Sequence, residues 1–179
     1  MQVVLAVPED ARSVAQIHVE TWRTAYATLL SSDFLDSLCV DTRETMWSEC
    51  IASGSPVLLV AKEAGVVHGL LSFGASRDKG ASASEAEIWA LYVAPRWWST
   101  GAGRVLWLHA KSRMLEQHYM SCSLWVFQQN ARAVKFYEAA GFVRDPSPPK
   151  SVELGGRQLI EVRYVCQFDS ESGSAARPL

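Results

Sequence analysis

The chain has 179 residues, 49% of them hydrophobic and 20% charged, with a formal net charge of -2. That size and balance fit one globular core, and the near-neutral charge argues against nucleic acid or an anionic membrane as the main partner. No apolar run approaches the roughly 20 residues of a membrane span, and the N-terminus has no signal-peptide pattern, so a cytoplasmic protein is expected.

Taken in order, residues 3–7 form a first strand. Pro8, Glu9 and Asp10 open a helix with Asp10 as its N-cap. Val14, Ile17, Thr21, Trp22 and Ala25 recur at helical spacing toward a core. His18, Trp22 and Tyr26 stand four apart on one face, which reads either as core packing or as a wall of a substrate pocket. Residues 29–32 break the pattern and 33–38 allow a short helical turn. Asp41-Thr42-Arg43-Glu44 is a variant capping box with Asp41 as the cap. Its helix sets Met46, Trp47, Cys50 and Ile51 on one side and ends at Gly54. Residues 57–62 and 66–75 form a hairpin turning at Glu63-Ala64-Gly65, and the polar stretch 77–84, RDKGASAS, is a loop.

Residues 87–104, EIWALYVAPRWWSTGAGR, are the stretch around which the rest is organised. An apolar strand over 88–94 stops at Pro95, a turn ends in Gly101-Ala102-Gly103, and a helix begins at Arg104. Strand, glycine-bearing turn and helix make an anion site. The first helical amides lack internal partners, the helix dipole favours negative charge, and glycines admit a phosphate to the backbone. Leu106, Ala110 and Met114 with Val105, Leu108 and Leu115 give this helix a broad apolar face, so it should be well buried.

Residues 121–127 are another strand. Asn130 caps a helix containing Ala133, Val134, Phe136, Tyr137 and Ala140, which Gly141 closes. A strand starts at 142–143, residues 145–150, DPSPPK, form a stiff loop, and Gly155-Gly156 turns into a last strand over 158–168. The order βαα, hairpin, strand, αβαββ gives a mixed α/β fold, a twisted sheet of about seven strands with helices on both faces. It is expected to form one domain over 1–168, followed by a polar, flexible tail over 169–179. Cys39, Cys50, Cys122 and Cys166 form no C-x-x-C pair and have no His at ligand spacing. They read as free thiols, with no metal site.

Two signatures in this order resemble the GNAT superfamily of acyl-CoA N-acyltransferases. The first is Leu91-Tyr92-Val93-Ala94-Pro95 followed by Trp98-Ser99-Thr100-Gly101-Ala102-Gly103-Arg104, matching the family's LYV-x-P strand and its Gln/Arg-x-x-Gly-x-Gly/Ala turn. The second is N-x-x-A-x-x-F-Y-x-x-x-G-F, present as Asn130, Ala133, Phe136, Tyr137, Gly141 and Phe142. The departure is at Trp98, where the family carries Gln or Arg, and at Ser99, where glycine is common. Backbone amides do most of the phosphate binding in such a turn, so the exchange removes one polar contact and stiffens the loop. The N-terminal IHVETWRTAY and FLDSL stretches look like a bacterial subgroup with diverse amine acceptors.

The resemblance implies an acetyl-CoA-dependent N-acetyltransferase with no metal, acting on a small-molecule primary amine by direct attack in a ternary complex, as a monomer or homodimer. By the same resemblance, Leu91, Tyr92, Val93, residues 98–104, Asn130, Arg132 and Tyr137 would meet the coenzyme. Arg96 is a further candidate for its phosphates. Trp22, Tyr26, Leu30 and Phe34 would wall the acceptor site. An alkylamine with a pKa near 10.4 is mostly protonated at neutral pH and needs a base. Glu87, aligned with the family's strand glutamate, is the first candidate base and acceptor contact, with Glu85 in reserve. A solvated or salt-bridged carboxylate is the other reading of Glu87. Tyr137 would protonate the departing thiolate, and a backbone amide from residues 91–93 would meet the oxyanion. Two further readings are a protein N-terminal or lysine acetyltransferase, and a degenerate module that binds coenzyme A without turnover. A Rossmann-type dinucleotide domain ranks below these, because the full G-x-G-x-x-G is missing.

Overall fold

The computed structural model describes residues 1–168. The elements in chain order are β1 (Gln2–Leu5), α1 (Ala11–Ala25), α2 (Ser32–Asp36), α3 (Val40–Ser53), β2 (Val57–Glu63), β3 (Val66–Ala75) and β4 (Glu85–Val93). There follow α4 (Ala102–Glu116), β5 (Ser121–Phe127), α5 (Ala131–Ala139), β6 (Val143–Arg144), β7 (Lys150–Leu154) and β8 (Arg157–Gln167). The strands form one sheet in the order β1-β2-β3-β4-β5-β8-β6, with β7 paired to β8. The expected tail over 169–179 lies outside the described residues.

Period-two alternation in the central strands feeds two apolar layers. On one face, Val14, Ala15 and Ile17 of α1 and Trp47 of α3 pack with Leu58, Val60 and Leu70. On the other, Leu106, Trp107, Ala110 and Met114 of α4 pack with Leu59, Leu71 and Phe73. Each fully buried Leu or Phe contributes about 1.5–3 kcal/mol by leaving water. The hairpin turns at Ala64-Gly65 and Gly155-Gly156 carry positive φ at all four residues. That is the type I′ geometry whose twist matches the flanking strands.

The sheet is the expected mixed one, its eighth strand being residues 150–154, which follow the proline-rich loop and pair with β8 through the Gly155-Gly156 turn. Three sequence expectations change. Helix α3 starts two residues earlier, with Cys39 at its N-cap and Asp41 in its first turn. Asp41 accepts instead from Arg12, which also binds Glu44 at 2.6 Å. Helix α4 begins at Ala102, two residues before Arg104. Its burial is one-sided: Leu106 and Met114 are fully buried, whereas Leu108 and Leu115 are 51% and 43% exposed.

β4 and β5 are the only parallel neighbours in the sheet, and they pair over just three residues, Glu85, Ala86 and Glu87 against Ser121, Cys122 and Ser123. Just beyond, the β3–β4 register jumps from Phe73↔Ile88 to Ser72↔Ala90, leaving Trp89 as an extra residue in β4. A bulge of this kind bends its strand and raises the local twist. β5 meanwhile stays paired with β8 as far as Phe127. The two strands therefore diverge, and a wedge opens between them.

Candidate active site

The wedge holds a cavity of about 620 Å³. Its walls are the diverging halves of β4, Ile88 to Val93, and of β5, Leu124 to Phe127. One end is the turn before α4, and the other reaches α1 and β8.

At the turn end, Pro95 starts a short 3-10 turn, and Gly101 takes φ 93° as the N-cap of α4. A left-handed residue is costly for any side chain that carries a Cβ, so this position requires glycine. Ser99 also has positive φ, 64°, which accounts for glycine being common there in the resembling family. Gly103 serves packing, since a Cβ on it would lie 3.1 Å from Phe136 of α5. The first intrahelical bond of α4 runs from the Val105 N–H to the Gly101 carbonyl. The amides of Ala102, Gly103 and Arg104 thus have no helical partner, which is the donor set an anion needs. Arg104, Arg132 and Lys135 line the same end and add positive charge.

Trp98 is folded into this turn. Its indole N–H donates to the Val93 carbonyl at 2.7 Å, and the Arg132 guanidinium lies 4.1 Å above its ring. The Thr21 hydroxyl donates to the same carbonyl at 3.2 Å. These contacts tie the turn to the end of β4 and to α5. The guanidinium absent at position 98 is replaced near the turn by one from α5, held by a cation–π contact.

Tyr137 lines the wedge from α5 and is 8% exposed. Burial, with Tyr26 and Tyr92 nearby, pushes its phenol well above the ordinary value, so it stays protonated throughout the physiological range. Its hydroxyl has no hydrogen-bond partner among the described residues. Asn130 caps α5, its side-chain oxygen accepting from the Ala133 N–H at 3.1 Å, and also lines the wedge.

At the far end stand Trp22 and Tyr26 of α1, in edge contact at 5.0 Å, with Tyr26 also edge-on to Phe127 at 5.5 Å. Behind them His18 lies 4.7 Å from the Tyr92 ring and accepts from the Trp47 indole N–H at 3.2 Å. Burial, with Arg43 nearby, lowers its pKa to about 3, so it packs α1 on β4 as a neutral ring. The stripe on α1 is thus core at His18 and cavity wall at Trp22 and Tyr26.

The structure does not bring every expected residue to this cavity. Leu30 is 4% exposed and packs with Val19, Leu35, Leu38 and Leu159, below the wall rather than in it. Phe34 covers the Gly155 turn, where an added Cβ would come within 2.7 Å of its ring. Thr100 turns back, its hydroxyl donating to the Trp97 carbonyl at 2.8 Å, and Arg96 is exposed outside the cavity lining.

Glu87 also lies off the wedge. It is 2% exposed, and its carboxylate accepts from the Arg77 backbone N–H at 2.8 Å and from both ends of the Arg77 guanidinium fork. The salt-bridged reading of this residue is the one observed. Glu85 accepts from Arg163 at 2.5 Å and from the Ser123 hydroxyl at 3.0 Å. Glu87 instead lines a second, polar cavity of about 320 Å³ that shares Ile88, Trp89, Trp125 and Glu161 with the wedge.

Glu161 is the carboxylate that sequence reading missed. It is the one acidic residue lining the wedge, half-buried in the middle of β8. Burial raises its pKa above the usual carboxylate range. The available signal was two charges, Glu161 and Arg163, two apart within the apolar middle of the last strand. Trp89, Trp125 and Phe127 were missed for another reason, because wall positions depend on the divergence of β4 from β5. No disulfide forms among the described residues, and no group of His, Cys, Asp or Glu among them could hold a metal ion. Among the described residues no helix is long and apolar enough to cross a membrane.

Comparison with known proteins agrees with this geometry. The Acetyltransferase (GNAT) family profile matches residues 13–142. The chain is 30% identical over 154 residues to the uncharacterized N-acetyltransferase YuaI of Bacillus subtilis (strain 168), covering 86% of each chain. Among solved structures, the PaiA N-acetyltransferase of Thermoplasma acidophilum in complex with coenzyme A superposes with a TM-score of 0.75 at 20% identity, over 94% of this chain and 100% of that one. The putative acetyltransferase YncA of Salmonella typhimurium, with its cofactor acetyl-CoA, does so with a TM-score of 0.74 at 23% identity, over 99% of both chains. A ribosomal-protein-alanine N-acetyltransferase of Brucella melitensis shares the fold with a TM-score of 0.75 at 20% identity, over 94% of this chain and 100% of that one. The chain belongs to the GNAT acetyltransferase family and is an N-acetyltransferase.

Proposed function

We propose that this enzyme transfers the acetyl group of acetyl-CoA to a primary amine of a small molecule, by direct attack in a ternary complex. The wedge carries this reading, because it joins an anion-binding turn, an open strand edge and a buried phenol in one cavity. The coenzyme's pyrophosphate would lie on the amides of residues 102–104, with Arg104 and Arg132 beside it. Its pantetheine would run along Leu91, Tyr92 and Val93 toward Asn130.

In the reaction a neutral amine attacks the thioester carbon, a C–N bond forms, and the C–S bond breaks. A backbone amide of residues 91–93 would stabilise the oxyanion. Tyr137, held protonated by burial, gives its proton to the leaving thiolate. Trp22 and Tyr26 contact the acceptor. Glu87, with its oxygens committed to Arg77, serves in this reading to hold Arg77 beside the second cavity. That cavity has room for about ten waters at about 30 Å³ each, which supports a small acceptor.

The test is thiol release from acetyl-CoA with phenethylamine, 1,4-diaminobutane and the peptide Ala-Ala-Ala as acceptors. Release with either small amine is expected. Release with the peptide alone would move the acceptor class to protein N-termini. Acetyl-CoA binding without release for any acceptor would make the chain a non-catalytic coenzyme-binding module.

A further inference from the structure

The second cavity is lined by two cations, Arg77 and Lys150, and three carboxylates, Asp78, Glu87 and Glu161. Asp78 is bound by Lys150 at 2.8 Å, by Arg163 at 3.0 Å and by the Trp125 indole N–H at 2.9 Å. Glu87 is bound by Arg77. Glu161 has no hydrogen bond or ion pair among the described residues. It is also the acidic residue common to this cavity and the wedge. The groups around it are Tyr26 from α1, Glu87 from β4, Lys150 from β7, and Arg77 from the loop after β3. Arg77 and Lys150 pair with Glu87 and Asp78 and act on Glu161 only from a distance, so no cation makes an ion pair with the carboxylate at the junction. An unpaired, partly desolvated carboxylate is costly unless its site takes a cation.

We propose that Glu161 receives the acceptor's ammonium at this junction and is the general base of the reaction. This rests on the acetyltransferase reading above. Glu161 takes one proton from the ammonium, and the freed lone pair attacks the thioester carbon. The new C–N bond forms as the C–S bond breaks. The second nitrogen proton replaces the one Tyr137 gives to sulfur, and Glu161 returns its own to water. One ammonium and one thioester become one amide, one thiol and one released proton. The aromatic lining, Trp22, Tyr26, Trp89, Trp125 and Phe127, suits an acceptor whose remaining body is apolar.

Glu161→Gln and Glu161→Asp test this, with phenethylamine, 1,4-diaminobutane and Ala-Ala-Ala as probes and kcat/KM followed from pH 6 to pH 10. With any probe the wild type uses, Glu161→Gln is expected to lower kcat/KM at pH 7.5 at least 100-fold, the low end for a general base. Its activity should climb toward the amine's own pKa, and Glu161→Asp should recover part of the loss. The Kd for acetyl-CoA should stay within twofold, and the Tm at pH 8 should rise, because an unpaired charge is removed. A kcat/KM within threefold of wild type, or an unchanged pH profile, would overturn the assignment of Glu161 and leave the acetyltransferase reading standing. A lowered Tm would make Glu161 a structural ion-pair partner and also overturn it. No thiol release by the wild type with any probe would overturn both.

Discussion

Replacing Tyr137 with Phe separates catalysis from stability. The side chain is 8% exposed, its ring packs against Phe136 and Phe142 at 5.3 and 5.6 Å, and its hydroxyl has no partner among the described residues. Phe keeps both ring contacts. A lost internal hydrogen bond would cost about 0.5–1.5 kcal/mol, but none is made here, so unfolding free energy should change by less than about 0.5 kcal/mol. Catalysis should respond differently. General acid catalysis contributes about 10²- to 10⁴-fold, which at 1.36 kcal/mol per tenfold is about 2.7–5.4 kcal/mol of barrier. The assay is thiol release at saturating acetyl-CoA, with the Kd for acetyl-CoA by calorimetry and chemical denaturation alongside. Turnover within threefold of wild type would refute Tyr137 as the acid. A stability loss above about 1.5 kcal/mol would refute the unpartnered hydroxyl.

Three other outcomes follow from the same geometry. Trp98→Ala loses the hydrogen bond to Val93 and the platform under Arg132; at about 1.4 kcal/mol per tenfold, acetyl-CoA should bind about tenfold more weakly by calorimetry, and unchanged affinity would count against the Trp98–Arg132 pair. Glu87→Gln breaks a pair that is buried on the carboxylate side but 55% exposed at Arg77. Denaturation should show a loss of about 1–3 kcal/mol with the pH–rate profile kept; a profile displaced toward the amine pKa would return the base to Glu87. The third concerns His18, whose folded pKa of about 3 lies below its ordinary 6.5. Its contribution to stability is complete above pH 6.5 and is lost as pH falls toward 3. At pH 5 the wild type should have lost about 2 kcal/mol more than His18→Gln, from 1.5 pH units at 1.36 kcal/mol each. Parallel denaturation curves for the two proteins between pH 7 and pH 5 would contradict a neutral, buried His18.

What could be read from the chain was local. Gly101, Asn130 and the two hairpin turns state their backbone geometry in their own residues, and the spacing from Leu91 to Phe142 carries the family. The wedge is a different kind of feature. It needs Trp89 to be skipped in the β3–β4 register, and nothing in IWALYV marks which residue is extra. Glu87 and Glu161 could not be ranked as bases for a related reason. Both are carboxylates within largely apolar strands, and only tertiary pairing shows that Arg77 occupies the first and not the second. The family resemblance assigns Leu30 and Phe34 to the wall, whereas the turn after α1 directs Leu30 into its own small core.

The central claim is that the gap between β4 and β5 is the acetyl-CoA site. A crystal structure of the enzyme grown with coenzyme A tests it most directly. The account predicts the pyrophosphate on the amides of Ala102, Gly103 and Arg104, the pantetheine between β4 and β5, and the thiol end facing Tyr137. Coenzyme A seated anywhere other than this wedge, or a wedge closed by β4–β5 pairing beyond Glu87 and Ser123, would contradict it.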